Sequence, residues 1–202
     1  MSETTHTPQR RGRWTLVLLF AIGVLPMILA YGLYQQTIAN GEVWKTTNHG
    51  NLVTPAQPVQ SFTVLTADNI QRGLSDLETH WTLVQFGGRQ CTEPCRQTLY
   101  NLRQLHTLLN KDQDRLQRWL VVEGQAAAFT DIEQIRSSYP LLTIAALVEG
   151  QLLAQLSEIG SLNETLYLID PMGNIMMTFP VSMEPKKMLK DIKKLLRISQ
   201  VG

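Results

Sequence analysis

The chain has no charge excess of either sign, since 18 Lys and Arg stand against 17 Asp and Glu for a net charge of +1. A balance of that kind supplies no basic field for a nucleic acid, so nucleic-acid partners are not expected. Internal repeats and low-complexity tracts are also missing, which removes solenoids and compositional linkers from the candidate architectures. Cysteine is nearly absent: Cys91 and Cys95 are the only two. Two thiols fall short of the four ligands that structural zinc normally takes. Charge disappears altogether from residues 14–34, and that local absence is the first positive signal.

Twenty-one residues without a charge, at about 1.5 Å each in a helix, cross a hydrocarbon core of roughly 30 Å. Arg10, Arg11 and Arg13 precede this run, and residues 35–41 after it carry no positive charge. The positive-inside rule therefore expects a cytoplasmic N-terminus and an exported C-terminal portion. A cleaved signal peptide is the competing reading, with Ala30-Tyr31-Gly32 as a small-x-small site, but the run exceeds the usual apolar length of such peptides. Either way the remainder reaches an oxidising compartment in which a cysteine pair can cycle or stay oxidised.

The expected organisation is a cytoplasmic tail at 1–13, a transmembrane helix at 14–34, a linker at 35–60 and a single extracytoplasmic domain at 61–202. The linker reading rests on polarity, on Pro55 and Pro58, and on the turn formers Asn48, Gly50 and Asn51. Within the domain, strands are expected at 62–65, 81–86, 116–122, 141–148 and 165–169, with a loop or short helix at 68–78. Leu99, Leu102, Leu105, Leu108 and Leu109 repeat at helical spacing behind Cys95. Asp131 is an expected N-cap for a helix to about Ser138, and 149–159 reads as another helix. Asp170-Pro171-Met172-Gly173 is a turn into a hairpin partner at 174–179, and a helix over 184–197 follows. This order is that of an α/β, thioredoxin-like sandwich preceded by a single N-terminal transmembrane helix.

Cys91-Thr92-Glu93-Pro94-Cys95 lies directly behind the apolar strand 81–86 and the pair Gly87-Gly88. If the helix begins there, a spacing of four puts both sulfurs on one face of its first turn, where the helix dipole favours thiolate. Such a pair suits a disulfide, electron transfer or a soft metal. Arg89 and Arg96 favour thiolate, Glu93 opposes it, and Pro94 stiffens the turn.

The strand, Cys-x-x-x-Cys, helix and late Leu166-Tyr167-Leu168-Ile169-Asp170-Pro171-x-Gly173 segment together resemble the Sco/SenC family. The segment from Cys91 through Arg118 and the run from Tyr167 to Met177 are also similar to small anchored proteins associated with bacterial cytochrome oxidase assembly. The resemblance implies a membrane-anchored, thioredoxin-like protein involved in copper delivery during assembly of cytochrome c oxidase, with Cys91 and Cys95 as redox and copper-binding residues. Implied partners are an oxidase subunit or its copper chaperones, and the implied location is the inner membrane, with the C-terminal domain in the periplasm.

The departures are specific. The Sco pattern places a histidine five residues before the tyrosine of the late strand to complete a Cys, Cys, His copper site, and Leu162 stands there. Thioredoxin-like redox proteins place a proline just before this strand, and residues 161–166 contain none. His106 lies eleven residues past Cys95, about 16 Å of helical rise. His80 opens the strand whose far end carries the thiols, about 20 Å away. Both read as solvated residues at element ends. His49 lies in the linker and is the one histidine free to fold back, while His6 is on the cytoplasmic side.

Met172, Met176 and Met177 crowd a hairpin expected at the opposite end of the sheet, so packing accounts for them. Asn163 and Glu164 belong to the loop expected to reach the thiols. The C-terminal helix presents Lys186, Lys187, Lys190, Lys193, Lys194 and Arg197 opposite Leu189, Ile192, Leu195 and Leu196, a solvated face or a surface for anionic headgroups. Three functions follow: copper handling or thiol maintenance for an oxidase copper site, thiol-disulfide exchange with other exported clients, and a scaffold with a structural disulfide.

Overall fold

The computed structural model describes residues 9–39 and 47–199. It divides into two compact units, Met1–Thr47 and Asn48–Gly202. In the first, helix α1 (Gln9–Ala39) contains the apolar stretch Trp14–Gln36, long and apolar enough to cross a membrane. None of that stretch is buried against protein, and a helix apolar all round suits lipid as its surroundings. Residues 1–8, including His6, lie outside the described residues.

The second unit is built on one sheet. Its strands are β1 (Asn51–Pro58), β2 (Phe62–Thr66), β3 (Gln71–Gly73), β4 (Trp81–Phe86), β5 (Leu116–Val122), β6 (Leu142–Gly150), β7 (Thr165–Ile169) and β8 (Asn174–Pro180). Their order across the sheet is β1-β8-β7-β4-β5-β6-β2-β3. The central β4, β5 and β6 are parallel, and β7 pairs antiparallel with β4 through Thr82↔Ile169 and Val84↔Tyr167. That register puts the start of β7 beside the end of β4. Helices α2 (Glu93–Leu108), α3 (Ile132–Ser138), α4 (Leu152–Ile159) and α5 (Pro185–Ile198) complete the domain.

Side-chain alternation sorts the core into two faces. Trp81, Leu83, Leu166 and Leu168 pack with Leu102 and Leu105 of α2 and Met188 and Ile192 of α5. Val84, Trp119, Val121, Tyr167 and Ile169 pack instead with Leu152 and Leu156 of α4. A third cluster joins both cysteines to Leu99, Leu120, Val122, Phe129 and Ile135. At about 1.5–3 kcal/mol for each fully buried large apolar side chain, these clusters hold helices on both faces of the sheet.

Several expectations are corrected. The linker reading of 35–60 gives way in its second half to β1, an edge strand paired with β8 through Asn51↔Thr178 and Pro58↔Asn174, its register shifting between Leu52 and Gln57. Proline lacks the N–H that a central strand needs and is accepted on an edge or in a bulge, which is where Pro55 sits. Residues 40–46 of that linker lie outside the described residues. Helix α4 begins at Leu152, because residues 149 and 150 still belong to β6. Asp131 precedes α3 in a left-handed conformation with no side-chain cap. Its carboxylate is taken by Arg96.

Candidate functional site

The connection from β4 to α2 sets the site. Gly87 donates its N–H to the Val121 carbonyl at 2.8 Å, and a Cβ there would lie 2.8 Å from Leu120 Cδ1. Gly88 follows at φ +60, a conformation glycine adopts without steric cost. Helix α2 then starts at Glu93, with Thr92 as N-cap and Pro94 in the first turn, where its missing N–H is harmless. Cys95 is therefore inside the first turn and Cys91 lies before the N-cap, so only one thiol belongs to the helix. The two sulfurs are bonded at 2.02 Å, with their Cα atoms 5.2 Å apart.

The arginines expected to favour thiolate are occupied. Arg89 Nε donates to Glu123 Oε2 at 3.2 Å, an exposed pair that contributes little energy. Arg96 Nη2 donates to Asp131 Oδ2 at 2.9 Å while its Nε donates to the Cys91 carbonyl at 3.3 Å. Arg96 thus fixes the Cys91 backbone, with its charge already met by a carboxylate.

An open cleft of about 490 Å³ borders the disulfide. Gln85 of β4, Thr92, Cys95 and Thr98 form one side, and Asn163 and Glu164 close it from the loop before β7, where the strand register places them. Sequence reasoning missed Gln85. It is buried, its Nε2 donates to the Cys95 carbonyl at 3.4 Å, and its Oε1 has no partner. The available signal was a polar residue interrupting the apolar run of β4.

The other candidates lie elsewhere. His106 is buried, with Nε2 at 3.1 Å from both the Gln113 and Leu116 carbonyls. That corrects its reading as a solvated residue: Leu99, Leu102 and His106 share one helical stripe, which was visible in the spacing. Burial, reinforced by Arg118, lowers its imidazole below the ordinary value of 6.5. Burial also brings Arg118 down to about 10, with Arg103 adding to the effect. His80 is exposed, its Nδ1 at 3.0 Å from Thr79 Oγ1. His49 is exposed and fixed through its backbone to Asp191 of α5. Met172 is 81% exposed and Met177 is in the core. None of these residues lines the cysteine cleft.

Leu162 packs against the cluster under α4, away from the cluster that holds the cysteines. Among the described residues no group of three or more His, Cys, Asp or Glu side chains is arranged for a metal. A three-ligand copper site therefore does not fit this donor set.

The family described as transmembrane-like, thioredoxin-like, C-terminal domain matches residues 81–199, and a transmembrane-like N-terminal domain family matches residues 7–36. No curated protein matches the sequence. Among solved structures, apo Sco1 of Thermus thermophilus aligns with a TM-score of 0.58 at 16% identity, covering 76% of this chain and 99% of that one. Copper-bound ScoI of Arabidopsis thaliana aligns at 0.56 and 13% identity, covering 70% and 99%. The thioredoxin domain of a thiol-disulfide oxidoreductase from Bacteroides vulgatus aligns at 0.52 and 15%, covering 69% and 95%. At these identities the likeness is one of fold, and it is the Sco-like thioredoxin fold that the cysteine motif and the late strand resemble. With the family match extending over more than half of its length, the chain belongs to the transmembrane-like, thioredoxin-like family.

Proposed function

We propose that this chain is a single-span assembly factor for a respiratory cytochrome c oxidase, anchored in the inner membrane with its C-terminal domain in the periplasm. It works by thiol-disulfide exchange at Cys91 and Cys95, keeping the cysteines of a copper-site subunit or its chaperone in the required redox state. One observation carries the reading: the only two cysteines are paired in a disulfide beside an open cleft on a Sco-like fold. The free N–H groups at the start of α2 favour a thiolate there when the bond opens. The three arginines ahead of the span at 14–34, against no positive charge in residues 35–41, support this orientation, with the tail at 1–13 on the cytoplasmic side.

A second reading treats copper(I) as cargo held by the two thiolates of the reduced pair. Its support is the softness of thiolate sulfur and the copper-bound Arabidopsis thaliana ScoI that shares this fold. Leu162 in the third-ligand position favours exchange over resident copper.

The test is a full-length double Cys→Ser variant in cells lacking the wild-type chain. Exchange or copper carriage predicts oxidase activity no higher than in the deletion strain, whereas full activity assigns a scaffold role. Copper(I) titration of the reduced full-length chain separates the first two, because tight one-to-one binding that needs both cysteines establishes cargo.

A further inference from the structure

Lysine is unevenly distributed. The chain has seven, and five of them, Lys186, Lys187, Lys190, Lys193 and Lys194, fall within nine residues of α5. At 3.6 residues per turn these five and Arg197 occupy an arc of about 120° on the helix. The opposite arc, with Met188, Ile192 and Leu196, is buried in the core. Asp191 is the only acid on the helix, and it is buried and engaged by the N–H groups of His49 and Gly50. Among the described residues, Lys186, Lys187, Lys190, Lys193 and Arg197 form no ion pair. The stripe runs into an open hollow of about 510 Å³ that presents Lys111, Arg115, Lys193 and Arg197, and the one acid there, Asp112, lies 3.7 Å from Arg115.

We infer that this stripe docks the C-terminal domain on an anionic phospholipid surface, that of the bilayer holding α1. The chain enters the domain on α5, where Lys194 Nζ lies 3.5 Å from Asn48 Oδ1 beside the two Asp191 contacts. Only residues 40–47 separate the end of α1 from Asn48, and eight residues span at most about 30 Å. Chain length alone therefore permits α5 to reach the headgroups. The choice of cation also favours lipid: protein interfaces are depleted in lysine and enriched in arginine, whereas a compact, strongly hydrated ammonium suits a diffuse field of phosphates. Because the apolar arc is used by the core, α5 meets the headgroups through its cations and does not insert. Docking holds the domain, and the cleft with it, in a preferred orientation over the bilayer. The inference needs only the anchor and is independent of thiol exchange and of copper.

The experiment places the full-length chain in nanodiscs of phosphatidylcholine alone or with about 30% phosphatidylglycerol. Ile198→Cys, at a position 72% exposed at the end of α5, carries a neutral fluorophore that nitroxide-bearing headgroups quench. Met172→Cys, at a position 81% exposed on the turn between β7 and β8, is the control. Both are labelled without reductant, which leaves the native disulfide closed. The expected result is quenching at position 198 about twofold or more greater in the anionic discs, with position 172 unchanged. About 0.5 M salt, or Lys186→Gln, Lys190→Gln and Lys193→Gln together, is expected to abolish the difference. Equal quenching at position 198 in the two lipids overturns the proposal and leaves the stripe to an acidic protein surface. An equal rise at both positions also overturns it, because attraction without a preferred face moves both probes. The lipid and salt comparisons keep the three lysines in place, so they decide the matter even if the glutamine variant fails to fold.

Discussion

Asp191, 3% exposed on α5, accepts the backbone N–H of Gly50 at 2.8 Å through Oδ2, the same oxygen that takes the N–H of His49 at 2.7 Å. One carboxylate on a helix otherwise rich in lysine thus fixes the start of the domain to its last helix. Asp191→Ala leaves the buried Gly50 N–H without its acceptor. Hydrogen bonds to a charged group contribute about 1.5–3 kcal/mol, so a loss of that order is expected in chemical denaturation, with Asp191→Asn losing less.

His106 gives a pH dependence. Its lowered imidazole stays neutral in the fold, with Arg118 as its cationic neighbour and Asp114 opposing the effect. As pH falls through 6.5, the unfolded chain takes up the proton first, so stability present above that value is progressively lost below it. The thermal midpoint is expected to fall between about pH 7.5 and 5.5, and His106→Gln to flatten that part of the profile.

Gly87 and Gly88 act by different means. Gly87→Ala forces a Cβ to within 2.8 Å of Leu120 Cδ1, an overpacking cost of about 1–3 kcal/mol. Gly88→Ala meets open space but keeps φ +60, costing about 1–2 kcal/mol. Denaturation midpoints of the two variants and their oxidised-to-reduced ratios in a glutathione buffer check both effects.

Leu162→His restores the residue type that the Sco pattern places there, but at a half-buried side chain that packs against the α4 cluster. A loss of about 1–3 kcal/mol is expected from placing a polar ring in that environment, together with an unchanged copper(I) affinity. Competitive titration of the reduced full-length variant against wild type measures it.

The elements that position the site were legible because their signals are local. The β4 run, the leucine stripe of α2 and the Asp170–Gly173 turn each combine periodicity with a punctuating residue. β1 was not legible: nearly every residue in it is exposed, so it shows no alternation, and its prolines imitate a spacer. β3, only Gln71–Gly73, is too short to show a period and was hidden inside the stretch 68–78 read as a loop or short helix. Within the site, the proximity of Asn163 and Glu164 to the thiols followed from strand order. The pairing of Arg96 with Asp131 across 35 residues, and the unmet acceptor of Gln85, depend on tertiary approach and leave no mark in spacing.

The outermost strands carry a consequence for crowding. Proteins confined to a membrane surface meet one another often, and an open strand margin invites another chain to zip onto it. Here one margin is β1, interrupted by a register shift and by two prolines that offer no N–H, and the other is only Gln71–Gly73 with Arg72 at its centre. Neither provides a continuous ladder. The sheet is thereby protected from edge-to-edge aggregation.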